Sequence, residues 1–88
     1  MKQYKMLVRE FLSEYTCTLR NNLRLTQDEM AEQLRITSRA YGDLERGKYC
    51  FAAVTLLFLL LMLSDEDLKI FLEGFRKKAY DFEHKEAA

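Results

Sequence analysis

Residues 50–63, CFAAVTLLFLLLML, carry no charge at all, and they occupy a sixth of an 88-residue chain. Whatever fold the chain adopts must dispose of this run. It could span a membrane, fill a core, or form the surface by which two copies meet. Length argues against the first, because a spanning helix needs about 20 apolar residues and a run of about 10–14 is more often a buried core helix. The run stops after fourteen residues, at SDED, whose three carboxylates close it abruptly. A core helix and a self-association surface remain, and the choice between them depends on the rest of the chain.

The chain is 49% hydrophobic and 32% charged with a formal net charge of zero, a balance that suits one small globular domain, residues 1–88, and not a disordered chain. Proline is absent and there are three glycines, which favours helices joined by short loops. Cys17 and Cys50 are too few for a disulfide scaffold and lack metal spacing, and the single histidine, His84, lies near the C-terminus. Structural thiols in a reducing cytoplasm are the expectation. The opening MKQYKMLVREF has no continuous apolar region of the kind a signal peptide needs. No nucleophile with a histidine partner, no phosphate loop and no evident carboxylate pair points to an enzyme, and no cofactor, metal or small-molecule ligand is indicated.

Periodicity predicts five helices and no strand, an all-α chain. The first covers about residues 4–23, with Leu12, Tyr15, Leu19 and Leu23 at helical spacing. Thr26 and Glu29 form a T-x-x-E capping box that starts a second, short helix with Met30, Ala31 and Leu34 on its apolar side. A third runs from about Ser38 to Arg46, with Gly47 placed as its C-cap. The fourth is the apolar run from about Ala53. The fifth begins at Ser64 or Asp65, where acidic residues suit the positive end of a helix dipole, and repeats Leu68, Phe71, Leu72, Phe75 and Ala79 on one side. The polar tail DFEHKEAA is expected to fray.

The most informative unit is LTQDEMAEQLRITSRAYGDLERGK, residues 25–48. Two short helices flank a three-residue connection containing Ile36, an arrangement in which Met30, Ala31, Ile36, Tyr41 and Leu44 can share a small core. The order Thr26-Gln27, Ala31, Ile36 and Glu45-Arg46-Gly47 resembles the helix-turn-helix of the phage-repressor and Cro type, the xenobiotic-response-element family. The resemblance spans roughly residues 16–63 and lies in spacing as well as composition. It implies a five-helix, lambda-repressor-like DNA-binding domain with the motif at about 26–46. It further implies a small prokaryotic or phage transcriptional regulator that binds double-stranded DNA sequence-specifically, as a homodimer. Carried over by position, the third helix enters the major groove and Ser38, Arg39, Gly42 and Asp43 stand at base-contacting places. Arg39 is the strongest reader, because a guanidinium matches guanine O6 and N7 with two hydrogen bonds. Gly42 has no side chain to read with, and Asp43 suits cytosine N4 or repels phosphate. Gln27 resembles the family's phosphate clamp, with Lys48 and Tyr49 as further phosphate contacts. Arg20 and Glu45 hold positions at which family members form a partly buried ion pair.

Two departures from the pattern matter. Arg35 stands where the turn often has glycine, so either it adopts a costly positive φ or the turn is slightly different. Residues 20–48 also carry six positive and five negative groups, a net of only +1, and phosphate neutralisation supplies much of DNA affinity. A second copy would compensate. On a helical wheel Val54, Phe58, Leu61 and Met62 form one stripe, expected to pack on the motif. Leu56, Leu59, Leu60 and Leu63 form another, either shielded by the fifth helix or, as the favoured expectation, joined with Leu68 and Phe71 in a dimer interface within about residues 53–80. The alternative function is a protein-interaction module, such as an antitoxin-like or anti-repressor subunit, that kept the fold.

Overall fold

The computed structural model describes residues 3–85, and within them the chain is five helices without a strand. They are α1 (Tyr4–Asn22), α2 (Gln27–Leu34), α3 (Ser38–Glu45), α4 (Ala53–Leu61) and α5 (Asp65–His84). Short polar residues begin three of them. Thr26, Thr37 and Ser64 each accept a hydrogen bond from the backbone N–H three residues on, at 3.1 Å in every case. At α2 the Glu29 carboxylate also accepts from the Thr26 N–H at 2.9 Å, completing the expected capping box.

The ends of α1, α2 and α3 share one device. In each, a residue at positive φ turns the chain, and the next N–H reaches back five residues: Leu25 to the Arg20 carbonyl, Ile36 to Ala31, and Lys48 to Asp43. This is the Schellman arrangement, which satisfies carbonyls that a helix end would otherwise leave open. The turning residues are Arg24 (φ 58°), Arg35 (φ 60°) and Gly47 (φ 74°). Glycine adopts this conformation freely, whereas an L-residue gives up roughly 1–2 kcal/mol. Arg35 therefore keeps the glycine-type turn. Its guanidinium lies 4.3 Å from the centroid of the Phe58 ring, a contact that offsets part of that cost.

All five helices contribute to one core: Leu12 from α1, Met30, Ala31 and Leu34 from α2, Tyr41 from α3, Leu59 from α4 and Phe71 from α5. Leu44 is buried as well and Ile36 packs against the cluster, so the small core expected of residues 25–48 forms. Helix α3 packs on both α2 and α1, α4 rests on α2, and α5 lies along α1. Aromatic rings stitch that last pair together. Phe11 meets Phe71 and Phe75 at centroid separations of 5.5 and 5.3 Å, and Tyr15 meets Phe71 edge-on at 4.7 Å. The α5 helix does not fray at Tyr80. It continues to His84, and Tyr4 at the start of α1 holds it there, packing on Phe82 and donating its hydroxyl to Glu83 at 2.6 Å. The final three residues of the expected frayed tail lie outside the described residues.

Helix α4 is turned differently from the expectation. Thr55 and Leu59 face inward, and Val54, Leu57 and Leu61 face out at 65%, 62% and 76% exposure. Val54 and Leu61 thus leave the stripe assigned to the motif, while Phe58 and Met62 stay packed against the core. The expected dimer stripe is largely covered within the chain. Leu59 is wholly buried, Phe71 is buried, and Leu56, Leu60, Leu63 and Leu68 are half-buried against the core. A helix apolar on all sides carries no polar face to set its rotation, so packing against α2 decides which side is inside. Leu72 is likewise half out in solvent, although it shares the α5 spacing of Phe71 and Phe75. The rotation of α4 has a direct test. Leu59→Ala should cost about 2–5 kcal/mol, as a fully buried leucine does, and Leu61→Ala, measured at a concentration where the chain is monomeric, should stay within about 0.5 kcal/mol of wild type. Urea denaturation followed by circular dichroism measures both, and similar losses for the two variants would show that α4 is turned otherwise.

Candidate nucleic-acid interface

The surface of interest is built around α3, and a single carboxylate fixes α3 in place. Glu45, in its last turn, accepts from Arg20 of α1 through both oxygens, Nε to Oε2 at 2.8 Å and Nη2 to Oε1 at 3.0 Å. The pairing is a two-point fork, which fixes direction as well as distance. The Tyr41 hydroxyl donates to Oε2 from within α3, and the Gln27 amide donates to Oε1 from the start of α2 at 3.0 Å. Arg20 also donates Nη1 to the Leu25 carbonyl at 3.0 Å, tying the connection before α2 into the same cluster. The two charged side chains are 17% and 10% exposed, so water competes little for these bonds. Three helices meet at one carboxylate.

The cluster shifts the titration of its members in the directions the bonds require. Arg20 beside Glu45, with help from Tyr41 and Gln27, holds the Glu45 carboxyl down at about 2 against the opposing effect of burial. Burial, reinforced by the Glu45 carboxylate, raises the Tyr41 hydroxyl well above the usual phenol range. The hydrogen bond to Glu45 likewise strengthens the hold of Arg20 on its proton.

Of the residues singled out from the sequence, Ser38 and Arg39 are exposed in the first turn of α3. Gly42 and Asp43 follow one turn on, but neither is an open reader. Gly42 is buried, and Asp43 is bound to Arg46 through its Oδ1, with its side chain 15% exposed. One oxygen of the Asp43 carboxylate is therefore engaged within the chain. Gln27 is exposed, yet one amide N–H is directed to Glu45, so it serves the fold before it serves any clamp. Lys48 and Tyr49 are both exposed, with the Lys48 ammonium 5.5 Å from the centroid of the Tyr49 ring. Sequence reasoning missed the roles of Thr37, Tyr41 and Arg46. Thr37 precedes a helix and is followed three residues later by alanine, so no capping box marked it. Tyr41 reads as core and is core, and only its hydroxyl reveals a second task. Arg46 sits in the Glu-x-Gly ending, where the middle residue carries no expectation.

A scan against protein-family models finds no match for this chain, and searches of curated proteins and of solved structures find none either.

The Glu45 cluster predicts a specific pH response. A carboxylate whose folded value is depressed stabilises the fold above its ordinary value near 4.5, and that contribution disappears as pH falls toward about 2. Wild type should thus lose stability over this window more steeply than Glu45→Gln, which starts lower and lacks the ionisation. In a double-mutant cycle at neutral pH, Arg20→Ala and Glu45→Ala should show a coupling of about 0.5–3 kcal/mol. Parallel pH profiles together with strict additivity would mean that the pair contributes nothing in solution.

Proposed function

We propose that this protein binds double-stranded DNA sequence-specifically as a small transcriptional regulator, with α3 as the helix that enters the major groove. The observation that carries this reading is the pairing of a rigidly anchored α3 with an exposed, polar outer face. The inner side of α3, Tyr41 and Leu44, is locked into the core, and its Glu45 is held by two other helices. The opposite side offers Ser38 and Arg39 to the outside. Recognition of bases needs this combination, because a reading side chain must sit within a fraction of an ångström of its target and only a rigid support delivers that. The sequence pattern Thr26-Gln27, Ala31, Ile36 and Glu45-Arg46-Gly47 supports a lambda-repressor-like arrangement, and the retained left-handed turn at Arg35 agrees with it.

Phosphate contacts fall to Lys48, Tyr49 and the start of α2, where the first N–H groups of the helix stand beside Gln27. The near-neutral charge of residues 20–48 makes a homodimer part of the proposal, since two motifs double the phosphate contacts and space the two α3 helices about one DNA turn apart. We place the seam further out on α4 than the stripe expected from the sequence. Leu59 and Phe71 are committed to the core, and the outward residues Val54, Leu57 and Leu61 of α4 are those a second copy would cover.

Duplex selection from a random pool, followed by binding at several salt concentrations, tests the function. Log affinity should fall linearly with log salt, with a slope set by the number of phosphates contacted. Arg39→Ala should lose about 1–3 kcal/mol on the selected duplex and relax preference at one base pair. Retention on DNA without a salt slope, or no duplex enriched at all, would favour the protein-interaction alternative. For the dimer, Leu61→Glu should convert a two-copy species to a monomer in sedimentation while leaving the helical spectrum unchanged.

A further inference from the structure

Gly42 poses a question that the preceding roles do not answer. It lies inside an eight-residue helix, where glycine is less favourable than alanine by about 0.8–1 kcal/mol. No positive φ calls for glycine there, since Gly47 is the one glycine among the described residues with that conformation. A Cβ at position 42 would stand 3.2 Å from Nη1 of Arg46, so with any larger residue the guanidinium would have to give by a few tenths of an ångström. Glycine lets the guanidinium rest directly against the helix.

The seat has an anchor. Asp43 accepts from Arg46 Nη2, and the two side chains differ sharply in exposure, 15% for the acid and 67% for the arginine. The acid lies beneath and the guanidinium lies open above it. A guanidinium has five N–H donors, and this bond uses one of them. Arg46 caps α3 with its backbone still in the helical region, so residues 39, 42, 43 and 46 follow the i, i+3, i+4, i+7 spacing of one helical face, and Arg46 is on the same outer side as Arg39. An ordinary exposed ion pair three residues apart contributes about 0–1 kcal/mol and would not need a glycine beside it.

We propose that Arg46, seated over Gly42 and held by Asp43, is a second base-reading group of α3, matched to guanine O6 and N7 at a base pair displaced from that of Arg39. The assignment rests on the DNA-binding reading above. Asp43 acts as a positioning residue: it fixes the plane of the guanidinium and leaves the outward N–H groups to the base. The arrangement also gives the acid on the groove face a purpose. Its charge, which would otherwise repel phosphate, is taken up by the arginine it orients.

The test uses the full chain and a duplex enriched by wild type, with single base-pair changes in that duplex and a bulk duplex for comparison. Arg46→Lys keeps the charge but not the fork, and should weaken the selected duplex roughly 5- to 150-fold with little change on bulk DNA. That loss should vanish when one particular G·C pair is replaced. Asp43→Asn should bind bulk DNA as well as wild type or better, while its ratio of selected to bulk affinity falls. Circular dichroism establishes that each variant is folded. A uniform loss of Arg46→Ala on every duplex would make Arg46 a phosphate contact and overturn the proposal, as would wild-type binding by that variant. If Arg39→Ala relaxes a base pair and Arg46→Lys does not, this inference alone fails. If wild type prefers no duplex, the DNA reading and this inference fail together.

Discussion

The Glu45 carboxylate is the point on which the arrangement of α1, α2 and α3 depends. It receives a fork from Arg20, a hydroxyl from Tyr41 and an amide from Gln27, so one side chain sets the position of three helices at once. Taking these groups out of water is costly, and the cost is recovered because each has a partner in the cluster. Such a group fixes geometry more than it adds net stability. Apolar packing alone could let short helices of eight residues slide or rotate by a fraction of a turn, but a carboxylate with three directed donors tolerates little of that.

The anchor has consequences for the outer surface. Helix α3 is short, and its inner residues Tyr41 and Leu44 would hold it to the core without defining where its polar side points. With Glu45 fixed, the outer residues Ser38, Arg39 and Arg46 acquire a defined direction. A second acid, Asp43, repeats the device at smaller scale by holding Arg46. Both arrangements use a carboxylate to orient a guanidinium, one inside to join helices and one outside on the face proposed to meet DNA.

Helix ends show how the chain manages with few glycines. Three successive helices close with the same reach-back hydrogen bond, yet only one of the three turning residues is glycine. Arg24 and Arg35 adopt the left-handed conformation instead, and the hydrophobic residue that follows each, Leu25 or Ile36, packs against the core. The contact after the turn supplies what the turning residue lacks. This explains why a sequence rule that looks for glycine located the end of α3, left two conformations open at Arg35 and gave no sign of the turn at Arg24.

Local signals determined much of this protein. The Thr26–Glu29 box, the Ser64 cap before three acids, the period of α1 and α5 and the core residues Met30, Ala31, Tyr41 and Leu44 were all legible, because caps and amphipathic spacing act within a few residues along the chain. Even the Arg20–Glu45 pair was reachable, through the spacing of a resembling motif. The rotation of α4 was not, since a helix of nine residues with a single polar one, Thr55, has no face for a pattern to reveal, and that residue turned inward. The same holds for the extension of α5 to His84, held by Tyr4 nearly eighty positions away, and for the engagement of Gln27 and Asp43. Those features are set by contacts between elements, whose geometry exists only once the helices have packed.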